Sequence, residues 1–223
     1  MIARLENASK RFVVGDEVIV AVDDVSLEVA AGEFVCLYGA SGSGKTTMLN
    51  ILAGIDTADS GEVLVAGQSL SGSSEGGRAD ARLRHIGVVF QSNNLLPEFT
   101  ARENVALPLM VRGFSRAEAD AAADVALASV GVPELADRLP GRMSGGQRQR
   151  VGIARALAGQ QEVLLADEPT GNLDSVNSRQ LFGLMRDLCD DLGTAVVLAT
   201  HDPLAREFAD SVYDMVDGVV AAR

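Results

Sequence analysis

Gly39-Ala-Ser-Gly-Ser-Gly-Lys45-Thr46 decides the fold. The stretch fits GxxxxGK[ST], in which glycines let successive backbone N–H groups turn inward on phosphate oxygens. Lys45 then reaches the β- and γ-phosphates and Thr46 offers a hydroxyl to Mg²⁺. The neighbouring residues supply the context this pattern requires. Phe34-Val-Cys-Leu-Tyr38 reads as a short buried strand ending at Gly39, and residues 47–53 read as a helix stopped by Gly54. Strand, glycine loop and helix in that order predict a phosphate-binding turn in an α/β fold.

Three further apolar runs each end on a polar residue. Ile86-Gly-Val-Val-Phe90 leads into Gln91, Val163-Leu-Leu-Ala166 into Asp167-Glu168, and Ala195-Val-Val-Leu-Ala199 into Thr200-His201. Strands buried on both faces of a parallel sheet are near-continuously apolar, and ligands bind beyond their carboxyl ends. The pattern therefore predicts one rim carrying Lys45, Gln91, Glu168 and His201.

Residues 2–5, 18–22 and 63–65 are β-rich, predicting a small antiparallel layer beside the nucleotide, and Asp217-Gly218 between apolar runs predicts a hairpin. Ser115-Arg-Ala-Glu118 fits a capping box opening an alanine-rich helix that stops near Gly131. Leu181, Leu184, Met185, Leu188 and Leu192 recur at helical spacing and are expected in the core. The serine- and glycine-rich residues 71–77 read as a loop without chemistry. Residues 92–160 look predominantly helical and interrupt the strand series.

With 223 residues, 47% of them hydrophobic and 22% charged, the chain has a globular composition. No apolar run approaches the roughly 18 residues of a membrane span, and the first residues lack the basic start and apolar stretch of a secretion signal, so a cytosolic place is expected. A formal net charge of −12 argues against broad contact with nucleic acid or anionic lipid. It does not forbid a nucleotide, because amides, Lys45 and Mg²⁺ act within a few ångströms while distant carboxylates are screened over roughly 8 Å. The only lysines are Lys10 and Lys45, so Lys45 belongs to no lysine-rich run. Cys36 stands in the predicted buried strand and Cys189 in a helical pattern, neither with metal-ligand spacing, and both read as packing thiols.

Met143-Ser-Gly-Gly-Gln147 reads as a second anion site, with an ordinary glycine turn as the alternative on spacing alone. Ser144 and Gln147 have capping-box spacing, so Ser144 is expected to open a helix whose N-terminal N–H groups, with Gly145 and Gly146 permitting close approach, favour a phosphate.

Taken in order, these residues resemble the ATP-binding cassette ATPases, the nucleotide-binding subunits of ABC transporters. Residues 39–46 resemble Walker A, Gln91 the Q-loop, residues 143–147 the LSGGQ signature with Met143 in place of leucine, residues 163–167 Walker B followed by Glu168, Asn172-Leu173-Asp174 the D-loop, and His201 the switch histidine. Residues 89–108 and 166–174 are similar to the macrolide-export and lipoprotein-release permease ATPases. Tyr38 and Ala40 depart from residues common around the phosphate loop.

The resemblance implies a P-loop NTPase (RecA-like) α/β core with an antiparallel β subdomain, residues 1–91 and 161–223, and an inserted α-helical signature subdomain, residues 92–160, within one domain spanning 1–223. It implies ATP and Mg²⁺ as cofactors. The nucleotide falls to Phe12, Gly39, Ser41, Gly42, Ser43, Gly44, Lys45, Thr46 and Thr47, and the metal to Thr46, Gln91 and Asp167. Ser144, Gly145, Gly146, Gln147 and Asp174 close over the nucleotide of a second, head-to-tail copy. Glu168, His201, Lys45 and Gln91 carry hydrolysis, Glu168 by activating water. The implied partner is an integral-membrane permease docking near residues 91–104, which holds the chain at the cytoplasmic face of the membrane; no nucleic-acid partner is expected. Several alternatives stay open at this point. Glu168 has a second reading as a solvated strand-end carboxylate, His201 as a core histidine and Phe12 as a core aromatic. The whole chain has a second reading as a mechanical ABC ATPase signalling through a membrane protein without transport. A soluble ABC ATPase acting on DNA or ribosomes is disfavoured by the acidity and by the lack of a coiled-coil insertion or second cassette.

Overall fold

The computed structural model describes residues 1–222 and contains, in chain order, β1 (Ala3–Val14), β2 (Glu17–Val29), β3 (Phe34–Tyr38), α1 (Lys45–Leu52), β4 (Ser60–Val65), β5 (Gln68–Ser69), α2 (Glu75–His85), β6 (Ile86–Val89), α3 (Ala101–Val111), α4 (Arg116–Ser129), α5 (Gly145–Leu157), β7 (Val163–Asp167), α6 (Ser175–Leu192), β8 (Ala195–Thr200), β9 (Ser211–Val216) and β10 (Val219–Ala222). The strands form two sheets. One is antiparallel, in the order β2-β1-β4-β5; the other has the order β10-β9-β3-β8-β7-β6, parallel throughout except for the β9–β10 hairpin that turns at Asp217-Gly218.

The parallel sheet divides the interior into two cores. Phe34 and Cys36 of β3, Leu164 and Ala166 of β7, and Val196 and Leu198 of β8 face α3, α4, α5 and α6. Their alternates Val35, Leu37, Val163, Leu165 and Val197 face α1 and the antiparallel sheet. Burial on both faces explains why these strands are apolar up to their last residue. It also leaves only their ends for polar work, and the carboxyl ends carry Gly39, Asp167 and His201 to one rim.

Several elements differ from the sequence reading. The helix after the phosphate loop begins at Lys45, two residues earlier, which puts the ammonium and the Thr46 hydroxyl on its first turn. Residues 71–77 are not wholly loop: Ser74 accepts a hydrogen bond from the Gly77 N–H and opens α2, whose first turn Arg78 and Arg82 tie together through Glu75. Leu192, the last residue of α6, is exposed, although Leu181, Met185 and Leu188 of the same stripe are buried. The hairpin of β1 and β2 extends further than its β-rich pattern, and Val13, Val14 and Val18 at its tip face solvent.

Candidate active site

The phosphate loop is shaped by two close approaches. A Cβ on Gly39 would lie 2.4 Å from the Met215 carbonyl oxygen, and one on Gly44 would lie 2.1 Å from that of Ala21. Gly44 also sits at φ +107, which side chains other than hydrogen rarely tolerate. Strand β9 and the β1–β2 hairpin thus press the loop from two sides. On its outer flank a cavity of about 430 Å³ is walled by residues 38–43 and 214–217, and by Arg206, whose guanidinium stacks 3.6 Å over the Tyr38 ring. Tyr38 thereby serves as a platform beside the loop.

Lys45 is 5% exposed, and its Nζ donates to the carbonyls of Gly39 at 2.8 Å and Ala40 at 2.9 Å. It also stands 3.7 Å from Glu168 Oε1. The Thr46 hydroxyl donates to Asp167 Oδ2 at 2.8 Å. The other oxygen of Asp167 is buried without a hydrogen-bond partner, as is the Ser43 hydroxyl. Burial raises the Asp167 pKa; the Thr46 bond opposes that, Glu168's charge adds to it and Lys45 opposes it again. A buried carboxylate oxygen with no donor, beside a lysine and a threonine hydroxyl, fits a hard cation with oxygen ligands.

Glu168 follows β7 at φ +45, its N–H bonded to the Ala199 carbonyl at 2.9 Å. Its Oε2 accepts from the Thr200 hydroxyl at 3.0 Å and from the His201 backbone N–H at 3.4 Å, while Oε1 lies 3.0 Å from His201 Nδ1. The Glu168 side chain is only 18% exposed, so it is not a solvated strand-end carboxylate; His201 is 65% exposed, so it is not a core histidine. Phe12 is exposed rather than in the core, with Lys10 Nζ 5.3 Å from its ring centroid. It pairs with Ile19, two residues from the Ala21 carbonyl that meets the loop.

The structure brings Lys45, Thr46, Asp167, Glu168 and His201 together. Among the described residues no hydrogen bond ties Gln91 to them: its amide packs against Gly171, a Cβ there falling 2.6 Å from Gln91 Nε2, and the Gly171 N–H bonds to the Glu168 carbonyl at 3.1 Å. Ser41 is exposed on the loop, and Thr47 is half-buried on α1.

A second group assembles around α5. Ser144 accepts from the Gln147 N–H at 3.2 Å while Gln147 accepts from the Ser144 N–H at 2.9 Å, closing the capping box. Gly145 and Gly146 pack on Leu173 and Asn177. Asp174 caps α6, accepting from the Asn177 N–H and Nδ2, both at 2.8 Å, and these bonds hold its pKa below the usual carboxylate range. Among the described residues, no hydrogen bond links Ser144, Gly145, Gly146, Gln147 or Asp174 to residues 39–46.

Two contacts escape the sequence. Thr200 supplies the hydroxyl on Glu168, and its one signal is its place as the last residue of an apolar strand. Arg155 of α5 donates to the carbonyls of Asn93 and Asn94, both 2.7 Å away, and so grips the segment that follows Gln91.

A sequence profile of the ABC transporter family matches residues 22–171. The chain belongs to the ABC transporter family of ATP-binding proteins. As an ABC ATPase it binds ATP and hydrolyses it. Its similarity reaches individual relatives end to end. The lipoprotein-releasing system ATP-binding protein LolD of Francisella tularensis subsp. tularensis (strain FSC 198) is 44% identical over 214 residues, covering 96% of this chain and 93% of that protein. LolD of Shewanella oneidensis is 42% identical over 218 residues, covering 98% of this chain and 95% of that one. The solved dimer of the ATP-binding cassette MJ0796 in a post-hydrolysis state with ADP and Pi superposes with a TM-score of 0.91 at 37% identity, covering 100% of this chain and 98% of that one. The family resemblance drawn from the motifs is thus upheld, and so is the ABC cassette fold.

Proposed function

We propose that this ABC ATPase is the energy-supplying subunit of a lipoprotein-releasing membrane transporter, working as a head-to-tail pair on the cytoplasmic face of the membrane. The reading of the substrate is supported by LolD relatives that match over nearly their whole length, and the paired form by the dimeric MJ0796 cassette. The membrane passage belongs to a permease subunit; among the described residues no helix is long and apolar enough to cross a membrane.

One observation carries the hydrolytic role. Glu168 is held by Thr200 and His201 at the rim where Lys45, Thr46 and Asp167 converge. In the proposed reaction Lys45 leaves the Gly39 and Ala40 carbonyls for the β- and γ-phosphates, a move that replaces two neutral acceptors by charged ones. Glu168 orients the attacking water and takes its proton, and His201 steadies Glu168 while contacting the γ-phosphate. Phe12 stacks on the base. Mg²⁺ would be held by Thr46 and Asp167, with Gln91 joining from the rim, and would shield the phosphate charge. Ser144, Gly145 and Gly146 close on the γ-phosphate of the partner copy, with Gln147 and Asp174 beside them.

The test is Glu168→Gln. ATP binding should persist, steady-state hydrolysis should fall by roughly 10²- to 10⁴-fold, and an ATP-loaded dimer should accumulate in size-exclusion chromatography. Unchanged hydrolysis removes Glu168 from this role. Co-purification with a lipoprotein-releasing permease, and stimulation of the ATPase by lipoprotein in the complex, test the substrate; stimulation by an unrelated export substrate alone overturns it.

A further inference from the structure

Thr200 is fully buried at the carboxyl end of β8, between the two halves of the catalytic rim. Its backbone carbonyl accepts the Gly39 N–H at 3.3 Å, which anchors the first residue of the phosphate loop. Its hydroxyl accepts the Asp202 N–H at 3.0 Å and stands 3.0 Å from Glu168 Oε2. A hydroxyl has one proton to give. With the Asp202 N–H occupying one lone pair, and Glu168 an acceptor when ionised, that proton points at Oε2.

We propose that Thr200 is a positioning residue for hydrolysis: its hydroxyl pins Oε2 of Glu168 so that Oε1, the oxygen facing His201 and Lys45, is the one presented to water. The inference rests on the proposed role of Glu168 as the group that activates water. Three features carry it. The Glu168 backbone is at φ +45, which fixes where its side chain departs but not how its carboxylate rotates. Oε2 is bonded to the end of β8 through the Thr200 hydroxyl and to the His201 backbone N–H, while the partners of Oε1 are the side chains of His201 and of Lys45, the latter of which a nucleotide would draw away. The Thr200 hydroxyl is buried and receives a backbone bond, so it cannot turn aside when ATP binds.

The side chain and the main chain of Thr200 serve different ends, and this separates the predicted effects. Thr200→Val removes the hydroxyl but keeps the carbonyl on Gly39, so the phosphate loop stays anchored. We expect kcat to fall roughly tenfold, as for the loss of one charge-assisted positioning bond, with KM for ATP changed by less than about twofold. Thr200→Ser restores kcat. In the Glu168→Gln background Thr200→Val produces no further loss, because the group it positions is already disabled.

Steady-state ATPase assays on the full chain, with ATP binding measured separately, decide the matter. Wild-type kcat in Thr200→Val, failure of serine to restore it, or an equal loss in both backgrounds overturns the proposal. Should the valine variant not fold, Thr200→Ala compared with Thr200→Ser carries the same test. Near-normal hydrolysis in Glu168→Gln alone sinks both this inference and the reading beneath it. A slow Glu168→Gln beside an unaffected Thr200→Val sinks only this one.

Discussion

Gly44 shows how narrowly the phosphate loop is specified. Its φ of +107 and the 2.1 Å approach to the Ala21 carbonyl leave no room for a methyl group, and the obstacle is backbone, which does not swing aside. Gly44→Ala is therefore expected to cost at least about 1–3 kcal/mol through strain, read as a Tm lower by roughly 2–4 °C per kcal/mol in a chain of this size. ATP affinity should fall with it, because Lys45 begins the next turn. A Gly44→Ala protein with wild-type Tm and ATP affinity would show that the loop adapts. The meeting of Lys45, Thr46, Asp167 and Glu168 was legible in the sequence because each stands at a fixed spacing from a glycine loop or an apolar strand. Thr200 was not, since a threonine ending a β-rich run is ordinary until the strand beside it is known to deliver a glutamate. Gln91 was legible by position, but its packing on Gly171 depends on how the segment after β6 bends.

Among the elements, the four apolar strands and the capped helices α4 and α5 were readable because burial and capping leave local marks. Helix α2 was hidden: two glycines in its first turn mimic a loop, and the Ser74 cap and the Glu75 pairs with Arg78 and Arg82 outweigh them only in three dimensions. The stripe on α6 misled only at Leu192, where the periodicity continues to the last, exposed residue of the helix. Asp210 is another long-range tie that no local pattern announces. Its Oδ2 accepts the Phe34 N–H at 2.8 Å and Arg186 Nη1 at 2.7 Å, joining β3 to α6. Burial alone would raise its pKa, but the Phe34 bond and Arg186 more than offset it, and the value lies below the usual range. A depressed folded pKa gives stability that is present above the ordinary carboxylate value and lost as pH falls through the folded one. Asp210→Asn should thus lower stability at pH 7 by about 1 kcal/mol, discounted because the side chain is half exposed. Melting curves of the two proteins should converge in acid; a constant gap across pH would assign the loss to packing rather than charge.

At the scale of the whole molecule, the two halves of the proposed ATP site are carried by different elements of the chain, the β3–α1 loop with the ends of β7 and β8, and the N-terminus of α5. Lys45 and Glu168 share a rim, whereas Gly145 and Gly146 lean on Leu173 and Asn177 and Ser144 bonds to Gln147, with no hydrogen bond from these three to the loop among the described residues. On the proposed reading a second copy brings the α5 N-terminus to the phosphate, and the interaction to remove is the one between its N–H groups and the γ-phosphate. Gly146→Asp does this selectively. A Cβ at position 146 has ordinary clearance, 3.8 Å from Asn177 Oδ1, and a carboxylate in the first turn of a helix favours the helix's own dipole. The chain therefore folds, and its phosphate loop still binds ATP with affinity within about twofold of wild type. The added charge repels the partner's triphosphate, so hydrolysis should drop by roughly 10²- to 10³-fold, the scale of losing a preorganised donor at a reacting anion. Combined with Glu168→Gln, the substitution should abolish the ATP-loaded dimer in light scattering. A Gly146→Asp protein that pairs on ATP as readily as its parent would place the second half of the site elsewhere on the surface.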